Sequence, residues 1–287
     1  MKRRSWLFVP GDSEKKMAKA SGLDADVLIL DLEDSVTSAR RDTARGLVTE
    51  FLTSQGSAGG AELWVRINPI DTADAMPDLD AVMSGRPRGI ILPKSDSPKG
   101  VITLARCLND FEAREDMEAG TVEIVSVATE TPKSMFTIGE YPGCSERLAG
   151  LMWGAEDLSA ALGASEKRHP SGEWKFTYQL ARSLCLLAAH AAGVQAIDTL
   201  HADFRDSRGL RSSAAEARRD GFSGKIAIHP AQVPVINEAF TPSAQEIAYA
   251  RRVVDAFANA GAAGTVSLDG EMLDLPHLKS AQRILGL

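Results

Sequence analysis

A chain of 287 residues with 44% hydrophobic and 25% charged side chains can build one large α/β barrel or two ordinary domains, and its balance excludes a disordered or membrane-embedded polypeptide. Its apolar runs are too short to span a bilayer, and the basic start leads only into the short apolar stretch 6–10, so neither an anchor nor an export signal is expected and the cytoplasm is the expected compartment. A formal net charge of -7 argues against a nucleic-acid partner, while Cys107, Cys144 and Cys185, widely spaced and without a CxxC, argue against a disulfide framework or a zinc site.

Eight short apolar runs bounded by turn residues are expected as strands. The first, 6–9, ends at Pro10-Gly11-Asp12, and the second, 27–30, at Asp31-Leu32-Glu33-Asp34. The third, 63–67, carries Arg66 and ends at Asn68, and the fourth, 89–92, is followed by Lys94. The fifth, 122–127, leads to Glu130, and the sixth, 150–153, to Gly154-Ala155-Glu156-Asp157. The seventh, 194–197, ends at Asp198, and the eighth, 225–228, at His229-Pro230.

Seven of the runs alternate with helix-like stretches, among them 182–192 before Gly193 and 214–220 before Gly221, each with glycine where a helix ends. A short helix is expected over 235–240, and Thr241-Pro242-Ser243 opens a helix of about 17 residues. The Gly-rich tail from Gly261 reads as an extension, not a second domain. The short basic clusters at Lys2 to Arg4 and at Arg218-Arg219 read as solvated faces that can still serve an anionic cofactor locally.

Buried strands alternating with helices imply a parallel sheet, and eight such units in this length match a (β/α)8 TIM barrel over 1–240 with a C-terminal extension over 241–287. An open doubly wound sheet is the alternative that the same alternation permits. In either case the active site lies beyond the carboxyl ends of the strands, where charged residues gather: the expected cluster is Asp31, Glu33, Asp34, Arg66, Lys94, Glu130, Asp157 and Asp198. Histidines supply little: His169, His190 and His277 read as surface or packing residues, and His229 as a structural hydrogen-bonder. No HxxxH, GxGxxG or P-loop is present.

The segments SWLFVPGDS, DADVLILDLEDSV, WVRINPIDT, ILPKSD, ETP, MWGAEDL, AIDTL, GFSGKIAIHPAQVPVINEAFTPS and LDGEMLDLP closely resemble the HpcH/HpaI aldolase and citrate lyase β-subunit superfamily, in its stand-alone citrate-lyase-β-like branch. The likeness runs in register from about Arg4 to Leu275. It implies a magnesium-dependent TIM barrel acting on a 3-hydroxyacyl thioester such as citryl-, malyl- or citramalyl-CoA, with a 2-oxo acid as the second partner and a homotrimer or hexamer as the assembly. By motif match Glu130 and Asp157 fall on the Mg2+ ligands and Arg66 on the substrate-binding arginine. Asp274 falls on an acid/base aspartate that reaches a neighbouring subunit's site from a C-terminal lid. Where many members read ETARG, this chain reads Glu130-Thr131-Pro132-Lys133-Ser134, which reshapes the wall beside Glu130 and leaves the acyl group open.

The chemistry accounts for these residue types. Mg2+ prefers oxygen and is held by one or two carboxylates, leaving positions for water and a 2-oxo or 2-hydroxy acid. Surface caps or salt bridges are the blander reading of the same two acids. Expelling an enolate calls for a fixed cation, which Arg66 supplies, though it can equally pair with Asp31, Glu33 or Asp34. Asp31, Glu33 and Asp34 can be read as a second metal site; the better-supported reading is that they and Lys94 orient the ligands, Glu33 or Asp34 accepting from metal-bound water, Arg66 or Lys94. The amides of Gly154, Ala155, Glu156 and Asp157, opening a helix, suit a substrate carboxylate. Hydrolysis of the same thioester, a carrier-dependent citrate lyase β subunit, and a non-catalytic acid sensor are the competing functions.

Overall fold

The computed structural model describes residues 3–55, 60–261 and 264–287, so Lys2 of the first basic cluster lies outside the described residues. Eight strands, β1 Ser5–Pro10, β2 Val27–Asp31, β3 Glu62–Arg66, β4 Gly89–Leu92, β5 Glu123–Val127, β6 Leu148–Met152, β7 Gln195–Asp198 and β8 Gly224–Ala227, pair in chain order and all in parallel. β8 pairs back onto β1, with Trp6 opposite Ile226, so the sheet is a closed barrel and the open doubly wound alternative falls. All eight expected runs are strands, with ends that differ by a residue or two.

Helices α1 Glu14–Ser21, α2 Arg41–Gln55, α3 Ala75–Val82, α4 Lys99–Arg114, α5 Glu156–Ala161, α6 Phe176–Ala191, α7 Ser207–Asp220 and α8 Val233–Ala239 fill the crossovers. Helices α6 and α7 begin well before the expected 182 and 214. The first turn of α6 carries the exposed Phe176, and α7 opens with the polar run Ser207-Arg208-Gly209, capped by Asp206, whose carboxylate accepts from the Gly209 amide at 2.8 Å. The start of α7 shows no apolar period, whereas in α6 the buried spacing already runs from Tyr178 through Ala181 to Cys185. Between β5 and β6 the chain makes two single 3-10 turns, Ser134–Phe136 and Ile138–Glu140, in a stretch punctuated by Pro132, Gly139 and Pro142-Gly143.

Strand residues alternate between two apolar layers. Trp6, Ile29, Trp64, Ile91, Val125 and Ile197 fill the barrel interior, while Leu28, Leu30, Leu151 and Ala196 pack outward against the helices. Trp6 and Trp64 meet edge to face with centroids 5.2 Å apart. Gly89 makes room for them, since a Cβ there would lie 2.3 Å from the Trp64 ring. At the amino end of the strands Arg3 bridges Glu62 at 2.7 Å and Glu123 at 2.5 Å, and Trp6 Nε1 donates to the Arg3 carbonyl. That end is a sealed floor, and the carboxyl end is the one that carries the polar cluster.

Residues 241–287 form a second compact unit: α9 Ala244–Asn259, the antiparallel hairpin β9 Thr265–Leu268 with β10 Glu271–Asp274, and α10 Leu275–Leu285. The α9 cap is reciprocal, with Ser243 Oγ accepting from the Glu246 amide and Glu246 accepting from the Ser243 amide. Asp269 and Gly270, both at positive φ, make the two-residue hairpin turn. The tail thus contains a hairpin that its Gly-rich sequence hid. Val253, Phe257, Leu273 and Ala281 give the unit its own small core. Among the described residues no helix is long and apolar enough to cross a membrane.

Candidate active site

Register and period two assemble the first half of the site. Ile29 and Trp64 face the interior, so Asp31 and Arg66, two residues further on and directly paired between β2 and β3, also project inward at the rim. Arg66 donates from Nε to Asp31 Oδ1 at 2.6 Å and from Nη2 to Asp31 Oδ2 at 2.7 Å, a two-pronged clamp. Its remaining nitrogen, Nη1, lies 3.0 Å from Glu33 Oε2, and its guanidinium stacks over Phe8 at 4.7 Å. Burial works against both charges of the clamp, but each outweighs it for the other: Asp31 sits below the usual carboxylate range and Arg66 above its ordinary value.

Lys94 organises the second half. It holds a left-handed backbone, φ 49°, just past β4, a conformation uncommon for a side-chain-bearing residue. That turn aims its N–H at Glu130 Oε2, 2.6 Å away, while Nζ reaches Glu33, Asp34 at 2.8 Å and Asp157 at 3.3 Å. Burial lowers the tendency of Lys94 to stay charged, yet Asp34, Glu33 and Asp157 overcome it and raise its pKa. The result is a chain of alternating charge, Asp31, Arg66, Glu33, Lys94, Asp157, running round the rim.

Glu130 follows β5 and is 5% exposed. Its pKa is pushed up to about 8, first by burial and then by the charge of Asp157, against the Lys94 N–H and Arg66. Gly154, after β6, lets it lie close: a Cβ there would come within 3.0 Å of Glu130 Cγ. Thr129 ties the two strand ends together, its Oγ1 accepting from the Gly154 N–H at 2.9 Å and donating to the Gly154 carbonyl at 3.3 Å. The Gly154 amide is therefore already bonded, which corrects the expectation that all four amides of 154–157 are free for a substrate. The other three open α5, with Glu156 tied to Lys167 and Asp157 31% exposed toward Lys94.

These residues fit a hard divalent cation. The donors are carboxylate oxygens beyond neighbouring strand ends, and burial together with the charge of Asp157 disfavours the ionised form of Glu130, which a bound cation would favour. Among the described residues no group of three His, Cys, Asp or Glu is placed to hold a metal, so Glu130 and Asp157 would leave the remaining positions to water and substrate.

Asp198 does not join the cluster. It follows the inward-facing Ile197 and so points outward, where Lys225 Nζ lies at 2.5 Å, Trp153 Nε1 at 2.7 Å and Arg182 Nε at 3.2 Å. The network is buried between β7, β8 and α6, and it holds Asp198 below the usual carboxylate range, Lys225 and Arg182 prevailing over burial. His229 is a structural bonder, as expected: its Nδ1 accepts from the Ala231 amide at 3.1 Å and its ring stacks on Phe204. In the altered segment Ser134 donates back to Thr131 at 3.1 Å and Lys133 pairs with Asp96 at 3.2 Å. Asp274, in the second unit, ends β10 and caps α10, with Oδ1 2.5 Å from His277 Nδ1.

Three contributors escaped the sequence reading: Phe8 under Arg66, Thr129 between the strand ends, and Lys167 on Glu156. Period two from Trp6 points to Phe8. Nothing in the sequence pairs Thr129 with Gly154 or Lys167 with Glu156.

Residues 4–230 match the family described as HpcH/HpaI aldolase/citrate lyase. A citrate lyase subunit beta-like protein of Mycobacterium tuberculosis is 36% identical over 281 residues, spanning 98% of this chain and 93% of the relative. The mitochondrial citramalyl-CoA lyase of Homo sapiens is 31% identical over 301 residues, spanning 99% and 85%. The crystal structure of protein CitE from Mycobacterium tuberculosis, in complex with magnesium, acetoacetate and coenzyme A, superposes with a TM-score of 0.80 at 35% identity, covering 99% of this chain and 97% of that one.

Proposed function

Since the chain belongs to the HpcH/HpaI aldolase/citrate lyase family, we propose that it is a magnesium-dependent carbon-carbon lyase that cleaves or forms a 3-hydroxyacyl-CoA thioester of the malyl, citramalyl or citryl type, with acetyl-CoA and a 2-oxo acid as products. The observation that carries this reading is the rim itself: Glu130 and Asp157 at adjacent strand ends, facing an arginine clamped by Asp31. The relative bound to magnesium, acetoacetate and coenzyme A supports the same class of ligands here. We extend the proposal to a cytoplasmic homo-oligomer, a trimer or hexamer, in which Asp274 works as the acid/base group in a neighbouring copy's site.

Glu130 and Asp157 would hold Mg2+, which would supply Lewis-acid polarisation there. The rest is work for side chains. Cleavage breaks the bond between the hydroxyl-bearing carbon and the thioester's α-carbon; the hydroxyl passes its proton to the Asp274 carboxylate as its carbon becomes the carbonyl of the 2-oxo acid. The electron pair passes to the thioester fragment as an enolate. Arg66 opposes that charge without giving up a proton, because Asp31 and its neighbours hold it above its ordinary pKa. Asp31 occupies Nε and Nη2, and Nη1 lies 3.0 Å from Glu33 Oε2, so a ligand that reaches this arginine would share Nη1 with Glu33. Lys94 fixes Glu130 through its N–H and Asp157 through Nζ, keeping both oxygen donors at the rim. The amides of Ala155, Glu156 and Asp157 remain for the acid's carboxylate. Asp274 returns a proton to the enolate carbon, completing acetyl-CoA.

The test is product analysis with a panel of malyl-, citramalyl- and citryl-CoA. The expected result is acetyl-CoA plus a 2-oxo acid, abolished by chelation and restored by Mg2+. Free CoA with the hydroxy acid intact would replace the lyase by a thioesterase, and silence on every thioester would sink both.

A further inference from the structure

The geometry points to His277 as a positioning residue for proton transfer at the enolate carbon, acting through Asp274. This rests on the proposed acid/base role of Asp274 and adds to it a partner that the sequence reading left among packing residues. In β10 the side chains alternate: Leu273 is buried in the unit's small core, so Asp274 leaves on the opposite face together with Met272, which is 75% exposed. On that open face a carboxylate has wide freedom about χ1 and χ2, and most of its orientations are useless for one carbon. His277, one turn into α10, removes that freedom, since its Nδ1 lies 2.5 Å from Asp274 Oδ1. The imidazole is held in turn by α10, whose start is fixed by Pro276 and whose end by Gly286 in the left-handed conformation.

The division of labour within the carboxyl group follows. His277 Nδ1 lies 3.2 Å from the Asp274 amide nitrogen and 2.5 Å from Oδ1; in the tautomer with the ring proton on Nδ1 that proton is donated to Oδ1, and Oδ2 is left as the oxygen that carries the mobile proton. In the cleavage direction the Oδ2 proton passes to the enolate carbon, a C–H bond forms from the enolate's electron pair, and Asp274 is left as a carboxylate bonded to His277. Condensation runs the same transfer backward. His277 itself exchanges no proton with substrate.

Wash-in of solvent deuterium into the methyl group of acetyl-CoA, followed on the full-length Mg2+-loaded enzyme beside steady-state kinetics, tests this. His277→Ala is expected to lower kcat and the wash-in rate about 10- to 100-fold, part of the 10²–10⁴ that a general acid contributes. KM should stay within about twofold, because the thioester's binding contacts are untouched. His277→Asn, whose amide nitrogen can take the place of Nδ1, should recover most of the loss. Wild-type kcat and wash-in for His277→Ala, or a loss confined to KM, overturns the inference. So does a loss that follows a fall in thermal stability and is not rescued by asparagine. Asp274→Asn separates the two levels: if it abolishes wash-in while His277→Ala does not, only the role of His277 falls. If Asp274→Asn itself washes in deuterium normally, the assignment of Asp274 falls and takes this one with it.

Discussion

Arg66 owes its usefulness to what it cannot do: pinned by Asp31 on two nitrogens and stacked on Phe8, it neither swings away nor loses its proton. Lysine at this place keeps the charge but loses the fork. Arg66→Lys is therefore expected to lower kcat/KM about 10²–10³-fold, the scale of removing one donor to a developing oxyanion, with unchanged thermal stability as the control. Gly154→Ala tests the neighbouring wall. Its methyl would stand 3.0 Å from Glu130 Cγ, so the carboxylate has to shift, and calorimetric Mg2+ affinity should weaken about 10-fold or more, the cost seen when groups supporting a ligand are disturbed. Affinity within twofold of wild type would mean that Glu130 does not need its present seat. Most of this rim was legible, because Asp31, Glu33, Lys94, Glu130 and Asp157 follow apolar runs and Arg66 sits near the end of one, and those ends point one way. Asp198 was misread by one residue of parity: Ile197 takes the inward place, and an aspartate next to it has to face the helices.

At the scale of elements, that outward aspartate becomes a structural joint between β7, β8 and α6. Lys225 is 1% exposed, so removing its counter-charge leaves a buried ammonium. Asp198→Asn should cost about 3–5 kcal/mol in urea unfolding at pH 7. The sign of its pH dependence follows from the depressed native pKa of Asp198. The unfolded chain takes up a proton near pH ~3.9 while the native state refuses it, so the contribution is full above that range. It is lost as pH falls through the native value. Below pH ~4 the wild type should therefore lose stability with a slope larger, by up to about 1.4 kcal/mol per pH unit, than Asp198→Asn. Parallel slopes would show that the joint does not titrate as a charge. The strands themselves were readable because each is a nearly unbroken apolar run, as a sheet covered on both faces demands. Helix starts were not, since α6 and α7 open with exposed residues; α7 is capped by Asp206, while α6 starts without a side-chain cap. The β9–β10 hairpin shows only through the pair Asp269-Gly270, a signal weak on its own.

For the whole molecule, the proposed exchange of Asp274 between neighbours has a signature that no single chain can give. Asp274→Asn lacks the acid and Glu130→Gln lacks a ligand, and each alone should be inactive. If subunits are mixed at random in a closed ring, about a quarter of sites join an intact rim to an intact tail, so mixing should restore about a quarter of wild-type activity. Activity that stays absent after verified subunit exchange would place Asp274 in its own chain's site. The rim has a consequence for the order in which ligands arrive. It gathers five carboxylates, Asp31, Glu33, Asp34, Glu130 and Asp157, around two cationic side chains, Arg66 and Lys94. A free oxo acid approaching that surplus meets repulsion before it meets a donor, and a cation already seated turns the same approach into attraction. Magnesium then acts as a gatekeeper as well as a reagent: in a medium starved of it the acid should fail to dock at all, and its apparent affinity should climb with the concentration of a metal it never has to bring along.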